Sequence, residues 1–330
     1  MTALDRLRPP PTLDLRAPAY KDWLHLNVFD HAAGMVTLFN ASLHGDPDDP
    51  RSLAVGTVVA ADLEGELAAE VVVADIDDAV VSPASIGVGD LLTVSLDGDR
   101  VEVTARLPAG RGEVAVEMVP TAPPINGETP VRFGSGWIAW RASPRGMVEG
   151  SWVDGGKGGP MDRLAAYHDH NWGRWHWGDD AGWEWAALLA EDGATIVLIH
   201  TTDREHRTGS PVVLAVFDGA VRRFPGGTVS VGHHGHFARD LVRLPGAMAA
   251  LHGGRLKPRL PELVGVVADD GIDRIEVELA PVHGCQLITA DPVVPGYGFI
   301  HELMGRFTYR GRVDGAAISG SGLGVFEYVD

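Results

Sequence analysis

The chain has little cysteine, little positive charge and no long apolar run. Its 330 residues include one cysteine, Cys285, which excludes an internal disulfide framework and a multi-cysteine metal site. We expect Cys285 to pack as a small buried apolar residue. Lys and Arg number 27 against 45 Asp and Glu, which gives a net charge of −18. Because no basic stripe is present, nucleic acid is not expected as a partner.

The sequence also lacks the hydrophobic segments that direct a chain to a membrane. No stretch reaches ~18 uninterrupted apolar residues, so we predict no integral membrane segment. The N-terminus, MTALDRLRPPP, has no apolar h-region and predicts no signal peptide. With a single cysteine and no leader, the expected location is the cytoplasm.

Short strand patterns follow one another along the whole chain. Segments such as Trp23–Asp30, Gly34–Leu43 and Arg51–Ala60 combine β-branched residues with period-two alternation, and Gly, Asp or Pro separates them. Helical periodicity is nearly absent, and the best candidate helix, Ala238–Gly253, is broken by Pro245. The sequence therefore predicts an all-β fold, with two barrels or sandwiches side by side.

A segment rich in Pro and Gly divides the chain. TAPPINGETP, Thr121–Pro130, is typical of a linker or crossover, so the predicted domains are residues 1–130 and 131–330. The two halves share an outline, in which a Trp-led strand, a Gly-containing turn and an apolar strand begin at Trp23 and again at Trp183. This similarity is compatible with an internal duplication.

Most of the indole surface is concentrated in one part of the sequence. Eight of the nine Trp residues lie between Trp137 and Trp185. Electron-rich ring faces that line a pocket can stabilise a cation without attacking it as a nucleophile. The indoles predicted to line a substrate pocket are Trp152, Trp172, Trp175, Trp177, Trp183 and Trp185.

One motif in this region, YHDHNWG at Tyr167–Gly173, has the alternation of a strand. Alternation places three side chains on one face, Tyr167, Asp169 and Asn171, and three on the other, His168, His170 and Trp172. If the first face points into a barrel, burial raises the pKa of Asp169 and keeps its carboxyl protonated near neutral pH. Such a carboxylic acid in an aromatic pocket could protonate an alkene, and the product would be a shielded carbocation.

The motifs of metal-dependent and nucleotide-dependent enzymes are missing. His168-x-His170 resembles the start of a cupin motif, but no Glu follows before Glu184, and the cluster GHHGH, Gly232–His236, lies in a Gly-rich stretch typical of a solvated loop. There is no G-x-S-x-G elbow, P-loop or H-E-x-x-H motif, and the Gly-rich segments open strands instead of helices. We predict neither a metal nor an organic cofactor.

The motif YHDHNWG also resembles a known family, the carotenoid 1,2-hydratases (hydroxyneurosporene synthases). Their relatives form the lipocalin-like hydratase/cyclase superfamily, which includes Diels–Alderase-type pericyclases. The closing GVFEYVD agrees with this resemblance. It implies two lipocalin-like antiparallel β-barrel domains in tandem, with the pocket at or near their interface. It also implies cofactor-independent chemistry on a lipophilic isoprenoid or polyene substrate, protonation by Asp169 with Tyr167 beside it, and Trp152 as a lining residue.

Three functions are compatible with these features, and in each the partner is a lipophilic small molecule. The first is a hydratase or cyclase in which Asp169 donates the proton, Tyr167 hydrogen-bonds Asp169 or the incoming water, and His170 and Asn171 orient the motif. The second is a pericyclase of a polyketide-type natural product, in which the pocket supplies the rate by positioning the substrate. The third is a non-catalytic carrier of a lipophilic ligand.

Overall fold

The computed structural model describes residues 5–8, 18–154, 157–245, 259–291 and 294–330. Within these residues the chain is built from strands and two short 3-10 helices, Ile76–Asp78 and Pro108–Gly110, with no α-helix. The strands form two sheets that are antiparallel apart from one short parallel pair. The predicted all-β fold is therefore confirmed. In the described part of the chain no helix is long and apolar enough to cross a membrane.

The first sheet contains twelve strands. They are β1 (Tyr20–Asp30), β2 (Met35–His44), β3 (Leu53–Asp62), β4 (Leu67–Asp75), β5 (Ala79–Ser82), β6 (Ser85–Val88), β7 (Leu92–Asp97), β8 (Arg100–Arg106), β9 (Glu113–Pro120), β10 (Ile125–Phe133), β11 (Gly136–Asp154) and β12 (Lys157–Arg174). Their order is β4-β3-β2-β1-β12-β11-β9-β8-β7-β6-β5, and β10 pairs with β11.

The second sheet contains ten strands. They are β13 (Gly182–Ala190), β14 (Thr195–Thr202), β15 (Val212–Phe217), β16 (Ala220–Phe224), β17 (Val229–His234), β18 (Val242–Leu244), β19 (Leu263–Asp269), β20 (Arg274–Ala290), β21 (Tyr297–Val313) and β22 (Ala316–Val329). Their order is β16-β15-β14-β13-β22-β21-β20-β19-β17, and β18 pairs in parallel with β20.

The two sheets repeat one strand order. In each, the first strand lies between the second strand and the last, so that β1 lies between β2 and β12, and β13 between β14 and β22. The two Trp-led strands of the sequence, with Trp23 and Trp183, are therefore equivalent. Their indoles stack on each other with ring centroids 6.0 Å apart and an interplanar angle of 25°. This shared order fits the internal duplication suggested by the sequence.

The sheets divide the chain between Arg174 and Gly182, later than the domain division at residues 130 and 131. The Pro- and Gly-rich segment Thr121–Pro130 is not a free linker, because its second half belongs to β10 and pairs with β11. Strands β11 and β12 then form a long hairpin that completes the first sheet against β1. The division at residue 130 stays a prediction about folding units. The strands on both sides of residue 130 belong to the first sheet.

The candidate helix Ala238–Gly253 is not formed over its described half. Val242–Leu244 is strand β18, and Pro245, which cannot continue a helix, follows it. The hydrogen bonds of this strand go instead to β20. Residues 246–253 lie outside the described residues.

Apolar side chains form one core inside each sheet and a third core between the sheets. Examples are Leu26 and Val58 inside the first sheet, Leu198 and Phe326 inside the second, and Leu38 and Val325 between them. Because side chains alternate along a strand, β1, β12, β13 and β22 each give one face to an interior and one to the interface. Cys285 is buried in the third core, as predicted for a small apolar residue.

A buried cluster of charged side chains holds the face of β12 that points away from the interface. His170 Nε2 lies 2.6 Å from Asp22 Oδ1, and His170 Nδ1 lies 2.8 Å from Asp5 Oδ1. Burial alone would lower the pKa of His170, but Asp22 and Asp5 raise it to about 9. The imidazolium therefore ties β12 to β1 and to the N-terminal segment.

We expect His170→Ala to lower the free energy of unfolding by about 3 kcal/mol, because two buried carboxylates lose the cation between them. A pKa raised in the folded state gives stability that is complete below the ordinary value of 6.5 and is lost as the pH rises through about 9. Urea unfolding at several pH values between about 6 and 10 measures both effects. His236→Ala, which changes an exposed imidazole, is the control. If the His170 variant followed the same pH dependence as the unaltered protein, the imidazolium would not be the group that ties β12 to β1.

Candidate active site

Two adjoining cavities open in the core between the sheets. The space open to the centre of a water molecule is about 50 Å³ in the smaller cavity and about 200 Å³ in the larger. The smaller contains the predicted polar face of β12, with Tyr167, Asp169 and Asn171. The larger is mostly apolar. Trp23, Trp183 and Glu327 line both cavities, so these three side chains form the junction.

Asp169 lies at the end of a chain of hydrogen bonds in the smaller cavity. The Tyr167 hydroxyl donates to Asp169 Oδ2 at 2.9 Å, and Asn171 Nδ2 donates to Oδ1 at 2.6 Å. Trp185 Nε1 in turn donates to the Tyr167 hydroxyl oxygen at 3.3 Å. Neighbouring side chains on one strand face thus fix both oxygens of the carboxyl group.

Burial is the largest influence on Asp169 and raises its pKa to about 7, and the charge of Glu327 acts in the same direction. The hydrogen bonds from Tyr167 and Asn171 oppose this rise because they favour the carboxylate. Burial and the nearby Asp169 charge also raise the pKa of Tyr167, so its phenol stays protonated. A sizeable fraction of Asp169 therefore carries a proton at neutral pH.

The polar face of β12 looks into the space between the two sheets and not into the interior of a barrel. Its side chains meet β13 and β22 of the other sheet, which supply Trp183, Trp185 and Glu327. His170 points the opposite way, into the cluster with Asp5 and Asp22. Any effect of His170 on orientation must therefore act through the strand.

Three of the six predicted indoles line the cavities. Trp183 lines both, Trp185 the smaller and Trp177 the larger. Trp183 and Trp185 point the same way because they are two residues apart on β13. Trp175 lies behind this layer, edge-on to Trp23 with ring centroids 5.4 Å apart.

The other two indoles lie away from the cavities. Trp172 belongs to the reverse face of β12, where its ring lies 4.9 Å from that of His170 and the Arg8 guanidinium lies over it at 4.2 Å. Trp152 is 37% exposed, on the end of β11 that pairs with β9. The hairpin of β11 and β12 extends beyond the interface there. Local alternation along a strand predicts which face a side chain lies on but not where the interface ends, so the prediction that Trp152 lines the pocket had no support from the pattern.

Several cavity residues come from segments that the sequence reasoning did not select. Trp23, His25 and Trp140 belong to β1 and β11, and Glu302 and Glu327 belong to β21 and β22. The matching Trp-led strands were a usable signal for Trp23. A glutamate inside an apolar strand, as in LGVFEYV, was the signal for Glu327.

One group in the described part of the chain could converge on a metal ion. A ring nitrogen of His25 and one carboxylate oxygen each from Glu302 and Glu327 lie within 4.8 Å of one another. Burial lowers the pKa of His25 to about 4, so its imidazole is neutral. The carboxyl oxygens of the two glutamates lie close together, and they could share a hydrogen bond only if one of the two carboxyl groups carried a proton. These residues lie at the junction of the cavities.

The sequence by itself has no match among family models or curated proteins. Solved structures do share the fold. A Nitrosomonas europaea protein named as a candidate AttH matches over 97% of this chain and 97% of its own, with TM-score 0.66 and 16% identity. Kievitone hydratase from Nectria haematococca matches over 93% and 88%, with TM-score 0.61 and 13% identity. CghA crystallised with Sch210972 matches over 98% and 94%, with TM-score 0.60 and 11% identity.

These likenesses extend over nearly the whole of each chain and concern the fold. The chain therefore has the architecture expected from YHDHNWG, two lipocalin-like β domains in tandem, and it shares this fold with the Nitrosomonas europaea protein, kievitone hydratase and CghA. The resemblance that the motif carries is confirmed at that level.

We expect Tyr167→Phe to raise the pKa of Asp169 above about 7, because the variant loses a hydrogen bond that favours the carboxylate. The carboxyl stretch of Asp169, isolated by infrared difference against Asp169→Asn, measures this pKa. Tyr309→Phe is the matched control, since Tyr309 donates to Asp192 in the other sheet at 2.6 Å. A pKa that fell or stayed the same in Tyr167→Phe would show that this hydroxyl does not stabilise the anion.

Proposed function

We propose that the chain is a cofactor-independent hydratase or cyclase that protonates an alkene of a lipophilic, isoprenoid-like substrate from Asp169. The observation that carries this proposal is a buried carboxyl group whose pKa is raised to about 7 and which faces an indole-lined cavity. A general acid works best when its pKa is near the working pH.

In the first step, the Asp169 O–H bond breaks and a C–H bond forms at the alkene. The alkene becomes a carbocation, and Asp169 becomes a carboxylate. Tyr167 and Asn171 already point their donors at the two oxygens, at 2.9 and 2.6 Å. Because these donors favour the charged form, they stabilise the carboxylate as it develops and need no reorganisation.

In the second step, the cation is captured. Trp23, Trp183 and Trp185 line the cavity and offer ring faces that stabilise positive charge without forming a bond to it. Water that attacks the cation gives an alcohol, and a second alkene or hydroxyl of the substrate gives a ring. Hydration and cyclisation thus share their first step.

The structural neighbours support this class of reaction. One is a hydratase by name, and CghA holds the small molecule Sch210972 in its crystal structure. Both share the fold at low identity, so the assignment depends on the residues of this chain. The isoprenoid character of the substrate is inferred from the YHDHNWG motif.

A second candidate is a pericyclic cyclisation of a polyketide-type substrate. The observation that favours it is the larger, mostly apolar cavity, which adjoins the smaller one at Trp23, Trp183 and Glu327. A flexible polyene could be held there in a reactive shape, and positioning alone can supply much of the rate. In that reaction Asp169 would only donate a hydrogen bond.

We expect Asp169→Asn to lower turnover by about 100-fold or more, since general-acid catalysis of this kind contributes that much. Because the protonated form is active, kcat/KM of the unaltered protein should fall as the pH rises through about 7. Reactions are run with a panel of prenylated phenols and polyenes in deuterated water. One non-exchangeable deuterium in the product skeleton identifies protonation, and its absence identifies a pericyclic step.

Asp77→Asn, which changes an exposed aspartate of the 3-10 helix Ile76–Asp78, is the control for the substitution itself. Full turnover in Asp169→Asn would remove Asp169 as the acid. An unchanged ligand recovered after prolonged incubation with every member of the panel would favour a carrier.

A further inference from the structure

Two glutamates face each other across neighbouring strands at the junction of the cavities. Glu302 of β21 and Glu327 of β22 are directly opposed in the register. Glu302 is 2% exposed, and Glu327 lines both cavities. Like charges directly opposite on a strand pair are destabilising, and burial adds to that cost. The proposed function gives this pair no role so far.

Among the described residues, the groups that act on the pair do not neutralise it. The negative charges of Glu327 and Asp169 both raise the pKa of Glu302. His25, which approaches from β1, is neutral because burial lowers its pKa. Cys285 of β20 lies opposite Glu302 and stays a thiol, since burial and the Glu302 charge raise its pKa. The Trp183 indole N–H donates to Glu327 Oε1.

The pair therefore takes up a proton. Burial raises the pKa of both carboxyls, and their mutual repulsion raises that of Glu302 further. One proton shared between them removes the repulsion and leaves a carboxyl group hydrogen-bonded to a carboxylate. Such a pair carries one negative charge and can accept a second proton.

The pair and Asp169 lie on opposite walls of the same cavity. Asp169 belongs to β12 of the first sheet, and Glu327 belongs to β22 of the second. Their charges interact, because Glu327 contributes to the raised pKa of Asp169. A substrate between the sheets thus has a proton donor on one side and a proton acceptor on the other.

We infer that the Glu302–Glu327 pair is the catalytic base of the proposed reaction and accepts the proton of the attacking water. This inference rests on the proposed function. The water oxygen forms a bond to the cationic carbon, one O–H bond of the water breaks, and its proton passes to the carboxylate of the pair. The pair then returns one proton to the Asp169 carboxylate, which restores both groups.

The position of the base also indicates a class of substrate. Glu327 lies where the smaller cavity, which contains Asp169, meets the larger one, whose walls include Leu53, Val55, Val71 and Ile300. An alkene held at Asp169 therefore has its apolar remainder in the larger cavity, and the carbon that becomes cationic lies near the junction. The site fits a molecule with an apolar chain or ring system that ends in an alkene.

A divalent cation is the competing occupant of this junction, with His25, Glu302 and Glu327 as its ligands. The metal is therefore an outcome of the test.

The test compares Glu327→Gln and Glu302→Gln with the unaltered protein. We expect each to lower the hydration kcat by about 100-fold, since the base is lost. Azide is an anionic nucleophile that needs no deprotonation, so it should restore turnover as an azide adduct in both variants. It should not do so in Asp169→Asn, which cannot form the cation. Glu278→Gln, an exposed glutamate of β20, is the control.

The outcomes separate this inference from the proposed function. If Asp169→Asn is inactive but both glutamine variants hydrate at the full rate, the base assignment is overturned and the acid stands. If Asp169→Asn keeps full activity, the proposed function fails first. The unaltered protein could instead bind one equivalent of metal, lose it in both variants and be inactivated by EDTA. That result would show that the junction is a metal site and not a pair that shares a proton. Thermal midpoints close to that of the unaltered protein would show that both variants fold, as expected because Gln keeps the shape of Glu and can still hydrogen-bond the remaining carboxyl group.

Discussion

The exclusion of water from one carboxyl group, that of Asp169, is the constraint on which the rest of the structure depends. Neither sheet achieves this alone, because the polar face of β12 would be solvated without the indoles of β13. Packing the two sheets face to face removes the water and makes the neutral acid the favoured form. The hydrogen bonds from Tyr167 and Asn171 stabilise the carboxylate of Asp169, so that the carboxyl group can still give up its proton. Acidity at this position is thus a property of the interface more than of the motif.

Some buried ionisable groups of this chain are paired with groups of opposite charge, and others are not. Behind the site, His170 is matched by Asp5 and Asp22. Glu184 is likewise contacted by three imidazoles, those of His200, His206 and His233, which hold its pKa well below its usual range although burial acts against them. At the cavity, Asp169, Glu302 and Glu327 have raised pKa values, and burial is the first cause of each. Glu184 and His200 also line the smaller cavity, so what distinguishes Asp169, Glu302 and Glu327 is the lack, among the described residues, of a matching cation, which leaves them a proton that can be transferred.

The sequence was informative wherever the relevant physics is local. Alternation alone placed Tyr167, Asp169 and Asn171 on one face, and the strand and turn patterns predicted an all-β chain. It was less informative where the outcome depends on pairing between distant strands. The opposition of Glu302 and Glu327 follows from the register of β21 and β22. The exposure of Trp152 follows from where the hairpin of β11 and β12 leaves the interface, and no window of sequence around it contains that information.

The repeated strand order has a consequence for how such a site could arise. Trp23 and Trp183 occupy equivalent places and meet face to face, so the cavity lies where equivalent strands of the two sheets meet. If the two sheets arose by duplication, a chain of one sheet would have had to associate with a second copy before it could enclose such a cavity. In the present chain the two halves differ. One now supplies Asp169 and the other supplies the glutamates, an asymmetry that a true homodimer, with two identical walls, could not encode.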